Sequence, residues 1–249
     1  MSSASILMYH SIDGSGSVIS TSPEKFAGQM RVLARSKAVV MGLADMAGSI
    51  RDGSPLPSGS VAVTFDDGFR NFYTTALPVL KDLGLKATVF VVTGRMGGDN
   101  RWEGQPDAVP TLDLMDWDEV ATVAEAGIDI GVHTVSHPDL TRVPPDRLTD
   151  EVAGASEEIE KRTGLAPSAF AYPYGGYDAA VRELVAGQFE CACSTELGLA
   201  GPTSDPWALP RVEMYYFSRN NLFKWLGTPV FSNYIRARGA LRTMRTGVL

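Results

Sequence analysis

Histidine and cysteine are the scarce residues of this chain, three and two among 249. Cys191 and Cys193 flank one alanine in a segment that reads as a strand, where they share a face but are poorly placed for an unstrained disulfide. A disulfide-stapled scaffold is thereby excluded; a buried free-thiol pair is the expectation, with metal binding or redox work as its alternative. No apolar stretch approaches the ~18 to 20 residues of a membrane span. The first residues, Met1-Ser2-Ser3-Ala4-Ser5, carry no base and lack the layout of a signal peptide, so a cytoplasmic location is expected. Base is in deficit overall: the net charge is -7, which argues against a nucleic-acid partner. Acid, in turn, is missing from residue 219 onward, where Arg219, Lys224, Arg236, Arg238, Arg242 and Arg245 give +6 and leave residues 1–218 at -13.

Short apolar runs recur at fairly even spacing and read as eight strands, over 6–9, 38–41, 61–65, 87–92, 128–132, 169–172, 190–194 and 208–212. Amphipathic helical patterns lie between several of them, for example Leu77-Leu80-Leu83, Val120-Val123-Ala124 and Leu148-Val152-Ile159. Strand and helix in alternation imply a parallel sheet, and eight such repeats in about 250 residues imply a single, closed or nearly closed (β/α) barrel. We expect the barrel to occupy residues 1–218 and the basic tail, 219–249, to be partly helical. The longest loops are 13–23 and 94–110, the second rich in Gly, Asp and Pro and able to overhang the barrel mouth.

Each histidine stands where an apolar run stops. His10 follows Ile6-Leu7-Met8-Tyr9, His133 follows Ile128 to Val132, and His137 comes four residues later; Asp66-Asp67 closes the run Val61 to Phe65. A (β/α) barrel carries its active site at the C-terminal ends of its strands, so three strands deliver these groups to one rim. Imidazole and carboxylate together suit a divalent metal such as zinc, with acid and base partners. Taken alone, Asp66-Asp67-Gly68 is an ordinary turn and either later histidine an ordinary structural one. The His133–His137 spacing also fits one face of a helix, but Thr134 stands where a helical metalloprotease motif needs Glu, and Thr134, Val135 and Pro138 favour a strand exit and turn.

In order and spacing, Thr64-Phe65-Asp66-Asp67-Gly68, His133-Thr134-Val135-Ser136-His137 and Phe170-Ala171-Tyr172-Pro173-Tyr174-Gly175 resemble the motifs of the polysaccharide deacetylase family with the NodB homology fold, carbohydrate esterase family 4. The resemblance runs from about residue 6 to about residue 214. It implies a distorted barrel of seven to eight strands holding one divalent metal, most often Zn with Co, Ni or Mn as alternatives, that removes an N-acetyl group from an amino sugar. Carried over by position, Asp66 is the general base and Asp67, His133 and His137 the metal ligands. Tyr174 offers its backbone N–H to the oxyanion, and Pro173 shapes the same turn beside the substrate.

Two departures are informative. Better-known members carry a catalytic His near the end of the barrel, whereas this chain has none beyond His137. Leu7-Met8-Tyr9-His10-Ser11 instead resembles an early-His subgroup that includes the poly-N-acetylglucosamine deacetylases, which makes His10 the general acid, with a buried structural His as the alternative. Many relatives also place Arg where Ala171 stands; Arg211 resembles an arginine of the early-His subgroup and would reach Asp66 from another strand, or else form a structural ion pair. Trp207 is expected either to wall the acetyl pocket or to sit in the core. The expected substrate is an N-acetylated amino sugar, free, in an oligosaccharide or on a lipid carrier. The tail, with Phe223, Trp225, Leu226, Phe231, Tyr234 and Ile235, is read as a solvated end, as a contact with the inner, anionic face of a membrane, or as packing on the barrel or on a second subunit in a homo-oligomer. Two rivals remain: hydrolysis of another amide (a formamide, cyclic imide or ureide) on the same barrel, and a non-catalytic saccharide-binding or scaffold protein.

Overall fold

The computed structural model describes residues 3–217 and 221–246, with side chains at 221, 240 and 242–246 left aside. Arg219 and the boundary expected at 218/219 lie outside the described residues, as do the side chains of Arg242 and Arg245. Eight strands form, β1 (Ser5–Tyr9), β2 (Val39–Val40), β3 (Ser60–Phe65), β4 (Thr88–Val91), β5 (Asp129–Val132), β6 (Ala169–Ala171), β7 (Cys191–Leu197) and β8 (Leu209–Glu213). All neighbours run parallel, and β1 pairs with both β3 and β8, which closes a seven-stranded barrel of β1 and β3 to β8.

The second segment, expected over 38–41, contributes only two paired residues. β1 occupies one edge of β3 along its length, while β2 pairs with Ser60 and Val61 and β4 with Thr64 and Phe65 on the remaining edge. There is no room for β2 to lengthen, and it stays outside the ring. β5 and β6 meet at a single registered pair, Val132 with Phe170, which distorts the closure.

Side chains alternate across each strand. The outward set, Leu7 and Tyr9, Val61, Val63 and Phe65, Val89 and Val91, Ile130 and Val132, Phe170 and Tyr172, packs under the helices. These are α1 (Pro23–Arg35), α2 (Leu43–Arg51), α3 (Leu77–Leu83), α4 (Trp117–Glu125), α5 (Pro145–Thr149), α6 (Ala155–Thr163), α7 (Ala179–Ala186) and α8 (Pro229–Thr246). The inward set is small: Ala62, Gly131, Ala169, Ala171, Cys191 and Cys193 surround the one large ring, Phe90. A Cβ on Gly131 would come within 2.4 Å of that ring, so only glycine fits there. α2 buries Leu43, Met46 and Ile50 against this inner set and closes the end of the barrel away from the histidines. Both cysteines are free and buried in β7, as the spacing predicts.

α5 and α6 are one rod joined by a π-helical turn, Asp150–Gly154. That insertion turns Glu151 inward and buries it. Phe223, Leu226, Phe231 and Ile235 join the outer core, so these tail aromatics and aliphatics pack on the barrel.

Candidate metal centre and acid–base pair

On β3 the inward positions 62, 64 and 66 lead to Asp66, whose N–H continues the ladder by donating to the Tyr9 carbonyl (3.0 Å). Arg211, an inward residue of β8 with no exposed surface, meets this carboxylate with both terminal nitrogens at 2.7 Å. Its Nε donates to the Ser194 carbonyl (2.9 Å) and its guanidinium lies 5.9 Å from the Phe90 ring centre. A bidentate charge pair of this kind is geometrically specific. Burial pushes the Asp66 carboxyl up, but Arg211, with His133 and His10, outweighs it and holds the group below the usual carboxylate range. The guanidinium that the family resemblance leads one to expect at Ala171 is here delivered from β8. The Ala171 carbonyl has another use, accepting a 2.7 Å hydrogen bond from His133 Nδ1.

That bond orients the ring. A carbonyl only accepts, so Nδ1 carries a proton, and Nε2 of His133 faces Asp67 Oδ1 at 3.4 Å. Asp67 steps out of the strand with φ 73°, and His137 Nε2 lies 3.3 Å from the same oxygen. One ligand atom from each of Asp67, His133 and His137 lies within 4.8 Å of the others. Burial would raise the Asp67 carboxyl; His133 and His137 overcome this and hold it far below the normal range. Burial also lowers His137, against the pull of Asp67, which favours the neutral imidazole that a metal needs. Two imidazoles and a carboxylate, one imidazole oriented by a carbonyl behind it, fit a divalent cation.

The loop between the histidines is held from below. Thr134 and His137 have φ of 67° and 63°, and the Thr134 hydroxyl accepts the His137 N–H (2.9 Å). Glu151 accepts the N–H groups of Val135 (3.0 Å) and Ser136 (2.9 Å) through one oxygen and the Ser136 hydroxyl (2.6 Å) through the other. Tyr174, at φ 58° in the turn Pro173–Gly175, sets its ring edge-on to His137 at 4.8 Å. Burial, with Asp67 adding to it, pushes its phenol up to about 12. Gly175 is required here, since a Cβ would fall 2.1 Å from Thr195 Oγ1.

His10, continuing the inward register of β1, stands across from these groups. Its Nε2 is 3.9 Å from Asp66 Oδ2 and its Nδ1 3.8 Å from Glu213 Oε2. Burial draws the imidazole down, yet Glu213, Asp66 and Asp67 together hold it above its ordinary value.

The sequence reading missed Glu213, Glu151 and Trp102. Glu213 lies two residues after Arg211 on one strand, so period-two spacing was an available signal. Trp102, in the loop expected to overhang the mouth, stacks on His137 with ring centres 4.2 Å apart. Of the two places expected for Trp207, the structure shows the packed one. The residue precedes β8, at the end of that strand opposite the site, donates Nε1 to the Phe189 carbonyl (2.9 Å) and lies under the Arg182 guanidinium against the outer core. The structure does not bring it to the acetyl side.

Known proteins place this geometry. The profile described as Polysaccharide deacetylase matches residues 53–188, over half of the chain. Bacillus subtilis YxkH, named for the same deacetylase family, is 25% identical over 210 residues, 84% of this chain and 70% of its own. The peptidoglycan-N-acetylglucosamine deacetylase of Bacillus cereus is 32% identical over 122 residues, covering 49% of this chain and 38% of that protein. The solved structure of IcaB from Ammonifex degensii superimposes with a TM-score of 0.77 at 24% identity, over 92% of this chain and 98% of that one, which extends the shared barrel into the segments on either side of the matched profile. With the Asp-Asp-Gly and His-x-x-x-His motifs inside the matched segment and His10 and Arg211 brought to them by barrel closure, the chain belongs to the polysaccharide deacetylase family.

Proposed function

We propose that the chain is a metal-dependent hydrolase that removes an N-acetyl group from an amino sugar in a saccharide or glycoconjugate. The observation that carries this reading is the division of labour between two adjacent carboxylates. Asp67 faces two imidazoles, while Asp66 is turned away from them and locked to Arg211. Asp67, His133 and His137 would hold the cation, zinc being the best match to this donor set, with Co, Ni or Mn able to replace it. When bound, such an ion supplies Lewis acidity toward an acyl carbonyl and acidifies water at neutral pH.

The chain's own residues do the rest. Asp66, kept ionised by Arg211, takes the proton of the attacking water. The main-chain N–H of Tyr174 donates to the developing oxyanion, and Pro173 fixes that turn. His10, whose protonated form is favoured by three carboxylates, gives its proton to the departing amine nitrogen, and Glu213 positions it. The acetyl carbon thus gains the water oxygen and loses the amine.

The substrate we infer is a cytoplasmic or lipid-linked biosynthetic intermediate. Among the described residues no helix is long and apolar enough to cross a membrane. Metal analysis of protein purified without chelators, paired with acetate release from N-acetylated amino sugars before and after stripping, tests the reading. Near-stoichiometric metal and metal-dependent acetate are expected. Bound metal with formate or ureide turnover instead of acetate would replace the acyl assignment, and failure to take up metal would overturn the reading.

A further inference from the structure

Beside the acid–base pair, α8 encloses a cavity of about 430 Å³ with the ends of β7 and β8, lined by Thr195, Arg211, Glu213, Tyr216, Arg238 and Leu241 among others. Its size is that of a small-molecule site. Arg211 and Glu213 belong to the reaction centre as well, so the cavity opens onto the groups that handle the acylated nitrogen.

The charges in it do not cancel. Arg211 is neutralised by Asp66. Glu213 faces His10, with the Tyr215 N–H donating to it at 3.2 Å. Among the described residues Arg238 forms no ion pair with a carboxylate. Its guanidinium donates to the Tyr234 hydroxyl (3.2 Å) and lies 5.8 Å and 5.9 Å from the ring centres of Tyr216 and Tyr234. No acidic residue follows Glu213 anywhere in the chain, so the helix that supplies Arg238 has none to pair with it. The cavity therefore keeps one uncompensated guanidinium, a group suited to phosphate and carboxylate, and the half-exposed Tyr216 ring beside it offers a face for a sugar.

We propose that this cavity binds an anionic group, a phosphate or a carboxylate, that the amino sugar carries next to its acylated nitrogen, with Arg238 as the counter-charge. The proposal rests on the deacetylase reading for the orientation of the sugar, and its test is an equilibrium measurement that needs no turnover. The metal-loaded protein is titrated calorimetrically with glucosamine 1-phosphate, glucuronate and glucosamine. At least one of the two anions is expected to bind about tenfold or more tightly than glucosamine, with an affinity that falls as salt rises. Phosphate alone binding tightly identifies a glycosyl phosphate; glucuronate binding as well identifies a uronate-bearing saccharide. Arg238→Ala should erase the advantage, and Arg238→Lys should keep part of it, with α8 still docked by circular dichroism in both. Equal affinities for all three ligands, or an anion advantage that survives Arg238→Ala, would overturn the proposal. Arg238-dependent anion binding in a protein that releases no acetate would sink the deacetylase reading and leave the anion site standing.

Discussion

His10, Asp66, Arg211 and Glu213 stand at positions that continue the inward alternation of β1, β3 and β8, whereas Asp67, Thr134, His137 and Tyr174 have φ between 58° and 73°. One side of the centre is assembled by strand register, and its charges meet opposite charges. The other is assembled by turns in the left-handed region, where a non-glycine residue costs about 1–3 kcal/mol. Among the described residues, those four are the only non-glycine positions with positive φ, so backbone strain is concentrated where ligands converge. Register suits groups that must stay fixed through a reaction. Turns release a side chain from the perpendicular direction a strand imposes, which lets Asp67 and His137 converge on the point that His133 faces from the end of β5.

Breaking the register side gives the largest effects. Asp66→Asn should cut kcat by about 10²- to 10⁴-fold with metal content unchanged, read by acetate release and elemental analysis. Arg211→Ala leaves a buried carboxylate without its cation and should lower stability by about 3–5 kcal/mol, read by denaturant unfolding. Among the groups that would hold the cation, His133→Ala should lose the metal and, with it, turnover, while chelation of the native protein should be reversible with zinc. Glu151→Ala, which frees two N–H groups and a hydroxyl under the loop of His137, should weaken zinc binding about 10- to 100-fold, and Glu151→Gln less, read by chelator competition.

The pH profile sharpens the comparison further. A general acid must be protonated, so activity falls as pH rises through the pKa of His10, which the carboxylates hold above its ordinary value. Removing one of them in Glu213→Gln lowers that pKa and should move the alkaline limb to lower pH; an unmoved limb would remove His10 as the acid. The same sign governs stability: the His10 contribution is fully present below the unfolded pKa and is lost as pH rises through the folded one. Smallest of all, Trp207→Phe should cost about 0.5–1.5 kcal/mol for the lost bond to Phe189 while leaving KM unchanged, whereas Trp102→Ala should raise KM.

Strands buried on both faces read as unbroken apolar runs, and that is why all eight segments were visible in the chain. Only the extent of β2 was not, because the edge of β3 it competes for is set by where β4 begins. Cys191 and Cys193 were legible as free thiols for the same local reason, their spacing on one strand. Glu151 was hidden because a π turn shifts the face on which a helical residue falls. Trp102 was hidden in a loop whose path follows from no periodicity.

Residue type and position along each strand determined by themselves that two carboxylates and three histidines end up on one rim, since strand ends and side-chain alternation are local properties. Only the tertiary structure decided their partners. Arg211 lies 145 residues from Asp66 and Ala171 lies 38 from His133, and barrel closure alone brings β8 to β1 and β3. The packing of α8 likewise placed Arg238 beside the ends of β7 and β8, because where a helix docks depends on contacts with distant elements, a relation no single segment contains.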